Sequence, residues 1–331
     1  MTEAEVARNP AALARLRAAI PEGVRFGASS WTYPGWKGLV YSRDYPATGA
    51  GAEMLAEYAR FPLFATVGID SSFYAPLTEK TLRSYADALP PGFPCVSKVW
   101  DRLTVHTFAK AREKAKAGQL NPDFLNPELF LESVWGPCQE HFAGHTGPFV
   151  FEFQAIARED RVAPLDFAER LDGFFAKLPR EGRFAVEVRN AEFLTPAYFA
   201  VLREHDVAHV FSSWTRMPSI GMQLDLPGSI PATFLVARAL LRPGRYYADA
   251  VDAFAPYDRI REPNPELRTD LVRLVEAAEK LRIPAYLLVN NRAEGSAPLT
   301  VAAVVGRLAE KGQRSTVNAQ AEGREGGRAE G

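Results

Sequence analysis

The chain has 331 residues, 47% of them hydrophobic and 24% charged, with 39 basic residues against 40 acidic ones. That composition supports a large buried core, and the balanced charge excludes a bulk electrostatic drive toward nucleic acid or an anionic membrane. No apolar run reaches the ~20 residues needed to cross a bilayer, and the acidic, alanine-rich start does not read as a signal peptide.

Residues 2–19 predict a short amphipathic helix stopped by Pro21-Glu22-Gly23. A strand-then-helix alternation follows. Strands are predicted at 24–30, 64–70, 93–99, 148–154, 183–189, 207–213, 232–238 and 284–290. Helical patterns lie near 51–60, 78–88, 128–142, 165–178, 196–204, 266–281 and 297–311, whereas 214–231, rich in proline and glycine, reads as mostly irregular. Two connections are long. Residues 100–127 carry Asp101, Arg102, His106 and a patch of Lys110, Lys114 and Lys116; residues 239–265 carry Arg242, Arg245, Tyr246 and Tyr247. Loops of this length in a compact domain are often functional lids. After Lys311 the chain is rich in Gly, Glu and Arg with almost nothing apolar, so 312–331 is expected to be a disordered tail and 1–311 one domain. Cys95 and Cys138 fall in an apolar strand-like run and a helical one. Two buried free thiols and a cytoplasmic location are therefore expected.

Short, continuously apolar strands that alternate with helices are the pattern of buried parallel sheets, and eight of them predict a closed (β/α)8 TIM-type barrel. An open doubly wound sheet would carry a glycine-rich phosphate turn after the first strand; Gly27-Ala28-Ser29-Ser30-Trp31 has none.

Several strand-like runs end in polar side chains: Glu152 and Gln154, Glu187 and Arg189, Arg238, Lys98, Asp70, and Asn290 with Asn291. The carboxyl ends of barrel strands are where ligands bind. Side chains alternate faces along a strand, and the helix-facing side must be apolar. Glu152, Gln154, Glu187 and Arg189 are therefore expected to point inward, with Phe151, Phe153, Val186 and Val188 outward. Adjacent strands bring Glu152 and Glu187 within roughly 5–9 Å, the range of paired carboxylates in sugar hydrolysis. In that reading Glu187 is the general base or electrostatic centre and Glu152 the partner acid, raised in pKa by its like-charged neighbour. Arg189, Arg238 and Lys98 would hold anionic groups, Asp70, Asn290 and Asn291 would bond hydroxyls, and Trp31, Trp214 and Tyr74 would wall the site. The same groups also fit a buried network that only satisfies itself.

A metal site would need Asp70, Glu152 and Glu187 to act together. His141 and His145 have i, i+4 spacing but precede the fourth strand, at the wrong end of the barrel. No cofactor signature is present.

The segment Phe26-Gly27-Ala28-Ser29-Ser30-Trp31-Thr32-Tyr33-Pro34-Gly35-Trp36-Lys37-Gly38 resembles the opening motif of the domain of unknown function 72 (YecE-like) family. Val67 to Tyr74, Ala185 to Asn190, and Asn290-Asn291 with Gly295-Ser296-Ala297 resemble its later motifs. The likeness runs over roughly 24–305 and implies a TIM-type barrel with no established activity. The chain departs from the family pattern at Gly68 and Asp70, where Glu and Asn are usual. It also departs at Glu152-Phe153-Gln154-Ala155, at Ser212-Ser213-Trp214, and after Arg238, where a usual His is lost.

These readings predict a hydrolase or lyase acting on a small polar ligand, sugar-like or anionic, by carboxylate acid/base chemistry at the barrel mouth. A non-catalytic binding or scaffold protein is the second reading. Metal-assisted phosphoester chemistry on nucleic acid is the third, with the basic loop residues as its track.

Overall fold

A computed structural model of the chain describes residues 3–46, 48–108, 117–156, 162–242, 244–245 and 247–326. Eight strands are present: β1 (Val24–Ala28), β2 (Val67–Ile69), β3 (Cys95–Lys98), β4 (Thr146–Phe153), β5 (Phe184–Val188), β6 (Ala208–Ser213), β7 (Leu235–Ala239) and β8 (Ala285–Val289). All their pairings are parallel, in the order β1-β8-β7-β6-β5-β4-β3-β2. The sheet curls back on itself, and Ala65 N donates to Phe26 O at 2.8 Å across the remaining seam. The seam is tight because two glycines face it. A Cβ on Gly27 would lie 2.0 Å from the Thr66 carbonyl oxygen, and one on Gly68 2.7 Å from that of Ser29. The result is a nearly closed (β/α)8 barrel, as the alternation predicts.

The helices between the strands are α3 (Gly51–Tyr58), α4 (Glu79–Ala88), α7 (Pro164–Phe175), α8 (Pro196–Glu204) and α11 (Pro265–Leu281), close to the predicted spans. The N-terminal helix is broken in two, α1 (Glu3–Ala7) and α2 (Pro10–Ala18). Pro10 has no N–H to continue α1 but suits the first turn of α2, whose start Asn9 caps by accepting from Ala11 N and Ala12 N. The stretch predicted as one helix at 128–142 is α5 (Pro127–Phe130), a π turn (Leu131–Trp135) and α6 (Gly136–His141). Pro137 cannot donate to residue 133, so the ladder loosens there. Two short helices were not expected, α9 (Ile220–Leu224) and α10 (Tyr247–Phe254); Ser219 Oγ caps α9 from Met222 N. The final helix, α12 (Ala297–Gly326), continues into the segment whose composition predicts disorder.

The core has two shells. Val96, Val150, Ala185, Val210, Val236 and Leu288 pack together inside the barrel. The alternate residues face the helices: the Phe151 ring meets Phe174 and Phe175 of α7 at 5.3 and 5.6 Å. Each such fully buried ring contributes roughly 1.5–3 kcal/mol from removed apolar area. Cys95 and Cys138 are both free and buried. Burial pushes both thiols up, Cys138 to about 12, so neither is a reactive thiolate. Among the described residues no helix is long and apolar enough to cross a membrane.

Candidate functional site

The interior valines and alanines fix which strand-end groups point inward. Lys98, Glu152, Glu187 and Arg238 each lie two residues beyond an interior apolar residue, namely Val96, Val150, Ala185 and Val236. Two-residue periodicity therefore puts all four on the interior face at one level. β4 and β5 pair with Glu152 directly opposite Glu187. The inward placement of these carboxylates, and the outward placement of Phe151, Phe153, Val186 and Val188, follow the sequence expectation.

The groups form one charged cluster. Arg238 Nη1 donates to Glu152 Oε2 at 2.6 Å and also to Glu187 Oε2, and its Nη2 donates to Asp70 Oδ1 at 3.0 Å. Arg189 Nη2 lies 2.7 Å from Glu187 Oε1 and 3.1 Å from Glu152 Oε2. Lys98 Nζ lies 2.8 Å from Glu152 Oε2, and Gln154 Nε2 donates to Glu152 Oε1 at 2.5 Å. Rings cover the cations: Arg189 stacks 3.9 Å from the Trp214 ring centroid and Lys98 lies 3.7 Å from that of Phe73.

The electrostatics correct one expectation. Burial by itself pushes the Glu152 carboxyl up, but Arg189, Arg238 and Lys98 outweigh it and hold the group well below the usual carboxylate range. Glu152 is thus an ionised counter-charge and not an acid raised by its neighbour, because its cations outnumber the one adjacent carboxylate. Burial likewise opposes the charge on Arg238, yet Glu187, Asp70 and Glu152 hold its pKa well above the usual value.

Above the cluster opens a cavity of about 920 Å³. Of the predicted site residues, Asp70, Tyr74, Lys98, Glu152, Arg189, Trp214, Arg238 and Asn290 line it. Three do not. Glu187 is fully buried beneath the cavity, with Arg189 and Arg238 above it. Trp31 is turned into the helix layer, where its Nε1 donates to Gly51 O at 2.7 Å and its ring meets Tyr85 edge-on. Asn291 also faces that layer, its Oδ1 accepting from Trp36 Nε1 at 3.2 Å and from Ala297 N at 2.8 Å. The alternation that brings Asn290 inward sends Asn291 outward.

Other lining residues escaped prediction as site residues, among them Thr104, Phe108, Leu240 and Leu241. The connection after β3 is shaped by bonds distant in sequence. Asn121 Nδ2 donates to Arg102 O and Val105 O at 2.7 and 2.8 Å, and Arg102 Nε donates to Asp123 at 2.6 Å. Asn190 clamps the loop after β4 by accepting from Ile156 N at 2.8 Å and donating to Ile156 O at 3.0 Å. A motif reading gives the identity of such residues but not their partners.

The proposed basic track fares differently. Arg242 and Arg245 turn back on their own connection, to Pro263 O and Glu262. Lys110, Lys114, Lys116, Tyr246 and the Tyr247 side chain lie outside the described residues. No group of three His, Cys, Asp or Glu side chains able to hold a metal ion occurs among the described residues. The Arg238 guanidinium itself lies among Asp70, Glu152 and Glu187. His145 is held at the opposite end of the barrel, its Nδ1 3.0 Å from Phe93 O.

A family model described as "Protein of unknown function DUF72" matches residues 25–324. The chain belongs to the DUF72 family. Among solved structures it is similar to a DUF72 family protein of Enterococcus faecalis V583, with 18% identity and a TM-score of 0.55 over 87% of this chain and 95% of that one. It is also similar to a DUF72 family protein of Thermotoga maritima MSB8, with 16% identity and a TM-score of 0.56 over 87% and 99% of the two chains. At this identity the likeness shows the shared fold. No curated protein matches. Against the usual DUF72 motif, Gly68 leaves out a side chain that the tight β1–β2 seam has no room for, and Asp70 supplies the third carboxylate on Arg238.

Proposed function

We propose that this DUF72 barrel binds a small anionic molecule at its mouth, with Lys98 as the direct contact and Arg189 and Arg238 supplying the field. Lys98 carries the reading. Its ammonium has three N–H donors, Glu152 is its ion-pair partner among the described residues, and it lines the cavity. Lys98, Arg102, Arg189, Arg238 and Arg292 all line that cavity, and their N–H groups are the donors that a negative ligand would use. Chemistry on such a ligand would draw on electrostatic stabilisation by these cations. Proton transfer by Glu152 fits less well, since a carboxylate held far below its ordinary pKa is a weak base and no acid at neutral pH. Hydrolase or lyase action by a Glu152–Glu187 pair is accordingly not our preferred reading.

A purely structural cluster is the second reading, favoured by how far the cluster satisfies itself: Glu152, Glu187, Arg189 and Arg238 are all buried and mutually bonded. Thermal unfolding with phosphate, sugar phosphates, sugar acids and neutral sugars separates the two. A ligand at 100 times its Kd stabilises by about 2.7 kcal/mol. The anion reading expects stabilisation by anions alone and its loss in Lys98→Met. Stabilisation by neutral sugars, or an unchanged response in Lys98→Met, sinks it.

A further inference from the structure

We propose that the anion bound at the mouth is a hydroxy acid, a carboxylate or phosphate with a hydroxyl close to its charge: Lys98 takes the charged group and Asp70 accepts a hydrogen bond from the hydroxyl. The proposal rests on the anion reading of the same site and names the class of ligand, with Asp70 as the residue that selects it.

Register is the first observation. Ile69 of β2 pairs with Ser97 of β3, so the next residues, Asp70 and Lys98, leave neighbouring strands side by side, about 4.8 Å apart at the backbone. Both line the cavity. A ligand that meets both groups at once carries an acceptor for the ammonium and, close by, a donor for the carboxylate. The second observation is the spare capacity of Asp70. Its Oδ1 accepts from Arg238 Nη2 at 3.0 Å, and Arg238 is its ion-pair partner among the described residues, while 30% of the side chain stays exposed. A carboxylate has about four acceptor sites, so Asp70 still has room for an O–H donor. An anion lacking that donor would lie beside an unanswered negative charge, whereas a hydroxylated one replaces the repulsion with a charge-assisted hydrogen bond. Third, the surroundings favour a neutral donor over an ammonium. Lys98, Arg189 and Arg238 gather on Glu152 Oε2 at 2.8, 3.1 and 2.6 Å, and a cation brought to Asp70 would be repelled by all three. A hydroxyl donates without adding positive charge to that group. Finally, Arg189 lines the cavity with its side chain only 4% exposed, and its Nε and Nη1 have no hydrogen-bond partner among the described residues. The Trp214 ring stacks on the guanidinium, which leaves the in-plane N–H groups for further oxygens. Buried donors without a partner are costly, and an oxygen-rich acid would answer them.

The experiment is calorimetric titration of the full chain with hexanoate, 2-hydroxyhexanoate and 2-aminohexanoate, which differ only in the group beside the carboxylate, and with propyl phosphate and glycerol 3-phosphate. All are repeated on Asp70→Ala and Lys98→Met. In wild type the hydroxylated acid is expected to bind at least about tenfold tighter than its parent, the low end for a hydrogen bond to a charged group. Asp70→Ala should close that gap, and Lys98→Met should lose the acids. Which of the two series binds tighter tells a carboxylate from a phosphate. If the parent and hydroxylated acids bind equally in both series, and need Lys98, the hydroxyl is wrong and the anion site survives. Tightest binding of 2-aminohexanoate, or a gap that persists in Asp70→Ala, overturns the role given to Asp70. If no anion binds in a Lys98-dependent way, both readings fall. The wild-type comparison needs no variant, so it decides the hydroxyl even if Asp70→Ala fails to fold.

Discussion

Across β4 and β5 the strand-end polar groups Glu152, Glu187 and Arg189 face the barrel interior and meet Arg238 there; across β8 and β1, Asn291 and Trp31 face the helix layer and fasten loops to it. Both quarters look alike as sequence, an apolar run closing in polar or aromatic residues. The difference is one residue of phase. A strand turns its side chains over at every step, so Asn290 lines the cavity while Asn291 caps α12. The charged quarter builds a field, and the amide quarter fastens loops to the helix layer. Substitutions in the two should therefore fail in different ways.

The largest effect is expected from Arg238→Met. It removes the cation common to Asp70, Glu152 and Glu187 and leaves buried carboxylates short of a partner. Breaking a buried network from one side costs about 3–5 kcal/mol. Urea unfolding at pH 7 should show a loss of that size. A loss below about 1 kcal/mol would mean the cluster relaxes to water, and the contrast between the quarters would weaken.

Asn291→Ala comes next. Two donors, Trp36 Nε1 and Ala297 N, lose a buried acceptor, and unsatisfied buried groups cost about 1–3 kcal/mol. The comparison sharpens if this variant loses stability yet keeps the anion response of the wild type. Loss of ligand response in a still-folded Asn291→Ala protein would put the β8–β1 quarter into the binding site.

Much of this was legible beforehand. Eight apolar runs separated by helical patterns specify a barrel, and the two-residue period gave the facing of Glu152, Glu187 and Arg189. What alternation does not carry is who meets whom across the barrel. Arg238 is 51 residues from Glu187 and 86 from Glu152 along the chain, and it joins Arg189 and Lys98 in reversing the expected sign of the Glu152 shift. Trp31 and Asn291 stand just beyond strand ends, where position along the chain does not say which face a side chain leaves from; both leave toward the helix layer. His209 shows the opposite case. Its position in mid-strand gave no role, and the structure buries it between Tyr198 and Gln223, where burial lowers its pKa to about 4.

A third substitution, Glu152→Gln, tests the sign of that shift. The folded carboxyl titrates below its unfolded value, so the group stabilises the fold above the unfolded pKa, and that contribution is lost as pH falls through the folded one. Wild-type stability should decline on acidification below the ordinary carboxylate range. Glu152→Gln, whose amide keeps the shape, should show a shallower decline. Equal acid slopes in urea midpoints between pH 7 and pH 3 would remove Glu152 as the counter-charge of the cations.

The smallest effect on stability belongs to Tyr74→Ala. The ring is 69% exposed and meets the core edge-on at Phe73, so its loss is expected to change folding by about 0.5 kcal/mol and leave the unfolding midpoint near wild type. Its consequence is expected in binding, because the ring stands at the edge of the cavity whose charged floor lies under β4, β5 and β7. The pair Asn291→Ala and Tyr74→Ala thus forms a crossed test of the two quarters: one costs stability and spares the ligand, the other spares stability and costs the ligand. Should Tyr74→Ala unfold early, the rim would be structural, and the division between a binding quarter and a fastening quarter would have to be redrawn at β2.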